Sequence, residues 1–200
     1  MEWFNKEDNL FSYQSSGMRS DDGQKSTDDV GEAVDFHVIT PMEWDERIKN
    51  TFHINGNNPD FADEHGVLLL FHAINFGTSD VVRFLLEAGA DANYVSWQGH
   101  SPWFLAVDSK NMAKIHLLEK IHADQTIQNN SGHNALHLIA MRGDIRLFHY
   151  LIHHAPLKAV LAVNRWGNSL LHLTASRHRH LLMRICLTHA EIPIDLENHE

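Results

Sequence analysis

The stretch GNSLLHLTA, residues 167–175, sets His172 inside an apolar run, just after a glycine and a small hydroxyl residue. A histidine in isolation serves equally well as a base, a metal ligand or a buried hydrogen-bonding group, so its role has to be read from its spacing. Gly66, Gly99 and Gly132 lie 33 residues apart, and Gly167 follows after 35. Each glycine opens the same kind of run: GVLLLFHAI, GHSPWFLAV, GHNALHLIA and GNSLLHLTA. Further along each unit, Val81/Val82 with Leu85/Leu86, Ile115 with Leu118, Leu147/Phe148 with Leu151/Ile152, and Leu182/Met183 with Leu187 recur at helical spacing. The pattern predicts two short helices per unit.

Composition bounds the chemistry. The 200 residues are 43% apolar, enough to bury a sizeable core. No stretch approaches the roughly 20 apolar residues of a bilayer-spanning helix, and MEWFNKEDNL at 1–10 lacks the basic start and apolar core of a signal peptide. The expectation is a soluble, cytoplasmic or nuclear protein with no membrane contact. The lone cysteine, Cys186, forms no internal disulfide framework and reads as core filler in a reducing compartment. Residues 1–66 hold fifteen Asp/Glu against five Lys/Arg, while residues 67–200 hold eleven of each. The whole net charge of −10 therefore sits in the first third, and the missing long basic patch argues against nucleic-acid binding. Fourteen of the seventeen histidines fall in the neutral part, which should turn cationic as pH drops through roughly 6.5.

The period and the runs at 99–107, 132–140 and 167–175 resemble the ankyrin-repeat family, whose repeat is about 33 residues with a T-P-L-H-x-A signature. The resemblance covers roughly residues 63–197. The first unit keeps DEHG at 63–66, Gly77 and VVRFLLEAGADAN at 81–93. The second keeps Ser101 and Pro102 but has Phe104 in place of the motif histidine, which the third and fourth retain as His137 and His172. The resemblance implies an all-α solenoid of about four stacked helix-turn-helix repeats with loop or hairpin connections. It also implies that the motif histidine braces the loop backbone beside it. Trp44, Ile48 and Phe52 have helical spacing, and GNNPDFADEHG at 56–66 parallels GADANYVSWQG at 89–99, so a degenerate capping helix is expected over 41–55. The expected division is a disordered acidic tail at 1–35, a partial repeat at 36–62, and repeats at 63–95, 96–128, 129–163 and 164–197. IDLENHE at 194–200 reads as the start of a fifth loop, with 198–200 opening a further repeat or ending the chain, and a fragment of something longer is the expectation.

Residues that could carry chemistry are few. His133/His137 and His149/His153 stand four apart, the spacing of two imidazoles on one helix face. His133, however, falls at a loop tip, and the second pair has no third ligand in the sequence, so no metal site is expected. His178 and His180 flank Arg179 where the family usually places glycine, which suggests an altered turn or a solvated loop. No phosphate loop, nucleophile elbow or kinase signature occurs, and the expectation is a protein with no enzyme activity and no cofactor.

The resemblance further implies a partner-binding surface of loop tips and first-helix faces. Carried over by position, it comprises Trp97, Gln98, His100, Asp108 and Ser109 in the second unit and Asn130, Ser131, His133, Met141 and Arg142 in the third. Arg165, Trp166, Asn168, Ser176 and Arg177 complete it in the fourth. Trp97 and Trp166 can act either as binding anchors or as packing folded back on the adjacent loop. YVSWQGHSPWFLA at 94–106 is similar to a late repeat of the inhibitor-of-NF-kappa-B proteins, and the long link HHAPLKAVLAVNRWG at 153–167 resembles a longer connection in them. SGMRS at 16–20 looks like their S-G-x-x-S phosphodegron core with Ser16 and Ser20 as phosphorylation sites, although Ser15 stands where an acidic residue is expected. Three partner readings stay open: a Rel-type transcription factor, the target of a host-directed parasite or viral effector, and a scaffolded protein of another kind.

Overall fold

The computed structural model describes residues 40–199 apart from Glu64 and Ala190. The expected tail at 1–35 and the Ser16/Ser20 motif lie outside the described residues. The helices are α1 (Pro41–Ile54), α2 (Leu69–Phe76), α3 (Ser79–Glu87), α4 (Pro102–Asp108), α5 (Met112–Lys120), α6 (Ala135–Arg142), α7 (Ile145–His154), α8 (Leu157–Val160), α9 (Leu170–Ser176) and α10 (His180–Thr188). An isolated antiparallel bridge joins Ala62 and Leu68.

Local chemistry starts and stops these helices. Thr40 and Glu43 form a reciprocal capping box around Pro41, and Thr78, Ser101, Asn111, Asn134, Asp144 and Ser169 each accept a hydrogen bond from a first-turn backbone N–H. Such caps satisfy donors that the helix cannot pair internally, each worth about 1 kcal/mol. The turns inside the last three pairs then use a left-handed residue, supplied by Lys110 (φ 55°), Gly143 (φ 81°) and His178 (φ 53°), whereas the first pair turns through extended Gly77 (φ −83°). The turn around His178 therefore has the same handedness as the glycine turn of the preceding unit, and the sequence departure there does not alter the backbone.

The first helices α2, α4, α6 and α9 stack in one row; α3 packs on α5, and α7 on α10, in the other. The cap α1 packs on α2 and α3. Apolar side chains at fixed distances after each glycine fill the space between rows: Val82, Ile115 and Phe148 form one fully buried column, and Leu85, Leu118, Leu151 and Cys186 another. Truncating a leucine in such a column costs about 2–5 kcal/mol. One position breaks the apolar rule. Lys114 stands in the column of Val81, Leu147 and Leu182, yet it too is buried.

The third unit differs from the two-helix expectation. Its long link contains the single-turn helix α8, which buries Ala159 and Val160 while leaving Leu157, Leu161 and Val163 exposed. Pro156 precedes this turn as its N-cap, in extended conformation (φ −62°, ψ 144°).

Candidate functional site

Each loop tip is folded by a side chain three residues before its glycine. Asp63 Oδ1 accepts from the N–H groups of His65 and Val67, both at 2.9 Å. Asn129 Oδ1 accepts from Ser131 (3.0 Å) and His133 (2.9 Å), and Asn164 Oδ1 from Trp166 (3.0 Å) and Asn168 (2.9 Å). In the second unit Ser96 Oγ accepts from His100 N–H at 3.1 Å. These short polar groups replace the backbone partners that a tight turn leaves unmet. The glycines are required twice over at two tips. Gly99 and Gly132 are left-handed, and a Cβ on either would lie 2.7 Å from Asn129 Cα or 2.6 Å from Arg165 N.

Neighbouring tips are tied to one another. Asn130 N–H donates to Gln98 O (3.2 Å), Arg165 N–H to Ser131 O (3.2 Å) and His199 N–H to Trp166 O (3.0 Å). Asn130 Nδ2 donates to Trp97 O (3.0 Å), and Asn164 Nδ2 lies 2.9 Å from His133 Nε2. Asn198, in turn, donates through Nδ2 to Asn168 Oδ1 at 2.8 Å. The result is a stitched edge on which side chains are presented by a fixed backbone.

The two motif histidines face inward from that edge. His137 is fully buried, with Nδ1 2.6 Å from Asn134 Oδ1 and 3.3 Å from its N–H. His172 repeats the arrangement half-buried, Nδ1 lying 2.9 Å from Ser169 Oγ and 3.3 Å from its N–H. Each imidazole closes a capping box with the residue that starts its own helix. Burial, then the adjacent His133, push His137 down to about 3, while the backbone of Ala162 and Asn168 acts the other way. A group held neutral and enclosed in this way is a brace rather than a base.

The surface residues inferred from the sequence fall into two separate rows. Trp97, Gln98, His100, Asn130, Ser131, His133, Arg165, Trp166 and Asn168 lie on the tips. Asp108, Ser109, Met141, Arg142, Ser176 and Arg177 lie at the far ends of the first helices, a seven- or eight-residue helix away, about 10–12 Å. The tryptophans also differ. Trp97 is 67% exposed, whereas Trp166, 49% exposed, leans on the His133 ring with centroids 5.8 Å apart. His100 stacks on Phe104 at 4.7 Å. In the second row the Arg142 guanidinium packs against Asp108 of the preceding unit, and burial holds the Asp108 carboxyl above the usual range despite that cation. Ser109 and Ser176 turn their hydroxyls back to Ala106 O and Leu173 O.

Several features were not read from the sequence. His189 brings its ring within 6.0 Å of His153, itself 4.7 Å from His149. Among the described residues, however, no three His, Cys or carboxylate side chains are placed to hold a metal ion. Trp44, read only as an apolar helix position, stacks on Phe76 at 4.8 Å with His72 beside them, and Asp63 anchors His72 at 2.9 Å. Cys186 is buried, and that burial raises its thiol to about 11, so it carries no nucleophile at neutral pH.

No family model matches the chain. Individual relatives do. An ankyrin repeat-containing protein of Schizosaccharomyces pombe is 32% identical over 90 residues, which is 45% of this chain and 42% of that protein. A putative ankyrin repeat protein of Acanthamoeba polyphaga mimivirus is 26% identical over 123 residues, 58% of this chain and 16% of the relative. A B-cell lymphoma 3 protein homolog of Mus musculus is 35% identical over 88 residues, 44% of this chain and 20% of the relative. The glycine-closed tips, the paired helices and these relatives agree. The chain is an all-α stack of paired helices similar to ankyrin-repeat proteins. It spans less than half the length of each of these relatives. An ankyrin stack is a protein–protein interaction module, and no helix among the described residues is long and apolar enough to cross a membrane. The stitched tip edge is where backbone hydrogen bonds between neighbouring units and exposed tryptophan surface coincide.

Proposed function

We propose that this repeat stack captures a partner protein along its loop-tip edge, with Trp97 as the anchor. The observation that carries the reading is the 67% exposure of Trp97, whose backbone carbonyl accepts from Asn130 Nδ2 at 3.0 Å. A large apolar ring on a pre-ordered backbone loses little conformational entropy on binding, and tryptophan truncations at such positions typically cost about 2 kcal/mol or more. Arg165 and Trp166, on the fourth tip, extend the same edge. Affinity capture with mass spectrometry from the full chain and from Trp97→Ala tests this. One partner should drop at least about tenfold with the variant while the thermal midpoint stays put; undiminished capture overturns the reading.

A Rel-type transcription factor is a second reading of the partner. It is supported by the similarity of residues 94–106 to inhibitor-of-NF-kappa-B proteins and by the relationship to the murine B-cell lymphoma 3 protein homolog. It requires a stable complex with a Rel homology domain in a pull-down, and its absence there removes this reading alone.

A further inference from the structure

The rung that ties neighbouring tips recurs at every junction but the first. Asn130, Arg165 and His199 each donate their backbone N–H to the carbonyl of the residue preceding a tip glycine, Gln98, Ser131 or Trp166. By position the first junction would use the Trp97 N–H, yet among the described residues it makes no such bond. The glycines show the same break. A Cβ on Gly99, Gly132 or Gly167 would lie 2.7 Å from Asn129 Cα, 2.6 Å from Arg165 N or 3.1 Å from Asn198 Cα, all main-chain atoms of the following tip. Beside Gly66 nothing lies within 4 Å, and Gly66 is exposed whereas Gly99 and Gly167 are buried. The first and second tips therefore flank an open slot that, at the other junctions, is filled by main chain.

The second tip is also the least satisfied internally, for a reason that lies in its sequence. Asp63, Asn129 and Asn164 each accept from the N–H groups two and four residues on. Ser96 stands at the same position, but its hydroxyl is one atom shorter than a carboxylate or carboxamide arm and accepts from His100 alone, at 3.1 Å. Among the described residues the Gln98 N–H has no such acceptor. Two successive backbone donors, on Trp97 and Gln98, thus stand unmet on the tip that carries the most exposed indole.

We propose that the slot between the first and second tips docks an extended peptide segment of the partner protein, whose main chain lies against Gly66 and offers a carbonyl to the Trp97 N–H. The proposal rests on the tip-capture reading above and adds where the partner's main chain runs. The other junctions display the complement in place, main chain against glycine with a rung between tips, and the partner supplies the equivalent. Main-chain hydrogen bonds give such a docked segment affinity, and the indole beside it selects among side chains. An anion fits less well. Residues 50–109 hold seven Asp/Glu against a single Lys/Arg, Arg83, so a phosphate or carboxylate is repelled and a neutral amide carbonyl is the matching acceptor.

The test is panning of a phage-displayed random dodecapeptide library on the full chain, with recovered peptides measured by fluorescence anisotropy and by NMR hydrogen exchange. In the free chain the Trp97 amide should exchange faster than those of Asn130 and Arg165, and bound peptide should slow it about tenfold or more. Gly66→Asn puts a side chain into the slot, and asparagine accepts left-handed backbone, as Asn57 does at φ 59°. It should weaken the peptide at least about tenfold with little change in thermal unfolding, as should Trp97→Ala. Binding lost in Trp97→Ala but kept in Gly66→Asn overturns this proposal and leaves tip capture standing; binding kept in both removes the two together. Recovery of no binding peptide, or a thermal loss in Gly66→Asn as large as in Gly132→Asn, also overturns it, the latter by showing the slot closed. Self-association that protects the Trp97 amide without peptide would place a second copy there instead, against the proposal.

Discussion

His137 and His172 stand at one position of the repeat, five residues after a glycine, where the first two units carry Phe71 and Phe104. A phenyl ring and an imidazole are interchangeable there only while the imidazole is neutral, and burial together with His133 keeps His137 neutral down to about 3. The pH dependence follows. The folded-state value lies below the unfolded value of about 6.5, so as pH falls through that range the unfolded chain takes up a proton that the folded chain refuses. Stability from this residue is complete above about 6.5 and declines by up to about 1.4 kcal/mol per pH unit toward 3. His137→Phe, which installs the ring found in the first two repeats, should flatten the fall in urea-unfolding free energy between about pH 6 and pH 4. Parallel curves for the two proteins would contradict the assignment. His137 is thus a structural brace, and the decisive fact is its enclosure.

At the scale of elements, Lys114 links three of them. Its Nζ donates to the carbonyls of Ala73 (3.3 Å), Ile74 (2.6 Å) and Gly77 (2.8 Å), capping α2 from the next repeat. Asp45 of the cap helix accepts from Thr78 N–H (2.8 Å) and from the Thr78 hydroxyl, and its charge favours the ammonium against the burial that pulls the lysine down. Gly77 belongs here because a Cβ would meet Val81 at 2.6 Å and Asp45 at 2.8 Å. Removing the ammonium leaves three buried carbonyls unmet and the nearby Asp45 charge uncompensated, so Lys114→Met should cost about 3 kcal/mol by urea denaturation. Adding Asp45→Asn should recover part of that loss; a single variant within about 0.5 kcal/mol of the parent would show that the network is stabilised otherwise. A lysine in the column of Val81, Leu147 and Leu182 was visible in the sequence, but its target was not.

For the whole stack, each repeat rests only on its neighbours, so stability is a sum of unit and junction terms. Units flanked on both sides should open last. The helix α10 has a further weakness: its N-cap is Arg179, which offers no accepting group, while the equivalent helices begin at Thr78, Asn111 and Asp144. Native-state hydrogen exchange should therefore show the strongest protection in α4, α5 and α6 and markedly weaker protection in α10. Equal protection in α5 and α10 would mean that the repeats unfold as one block.

The sequence by itself determined the period, the helix pairs and the core columns. These are local quantities: glycines needing left-handed backbone, caps, and apolar residues three or four apart act within one unit. The Asp63, Ser96, Asn129 and Asn164 positions that fold the tips carry the same period and were legible in principle. Only the tertiary structure decided that Trp97 stands clear while Trp166 rests on His133, that Lys114 ends on three carbonyls, and that Arg142 finds a carboxylate where Arg179 meets a glycine. Each of those outcomes joins residues about one repeat or more apart. Spacing along the chain brings such residues near, but packing against the neighbouring repeat selects which of them touch.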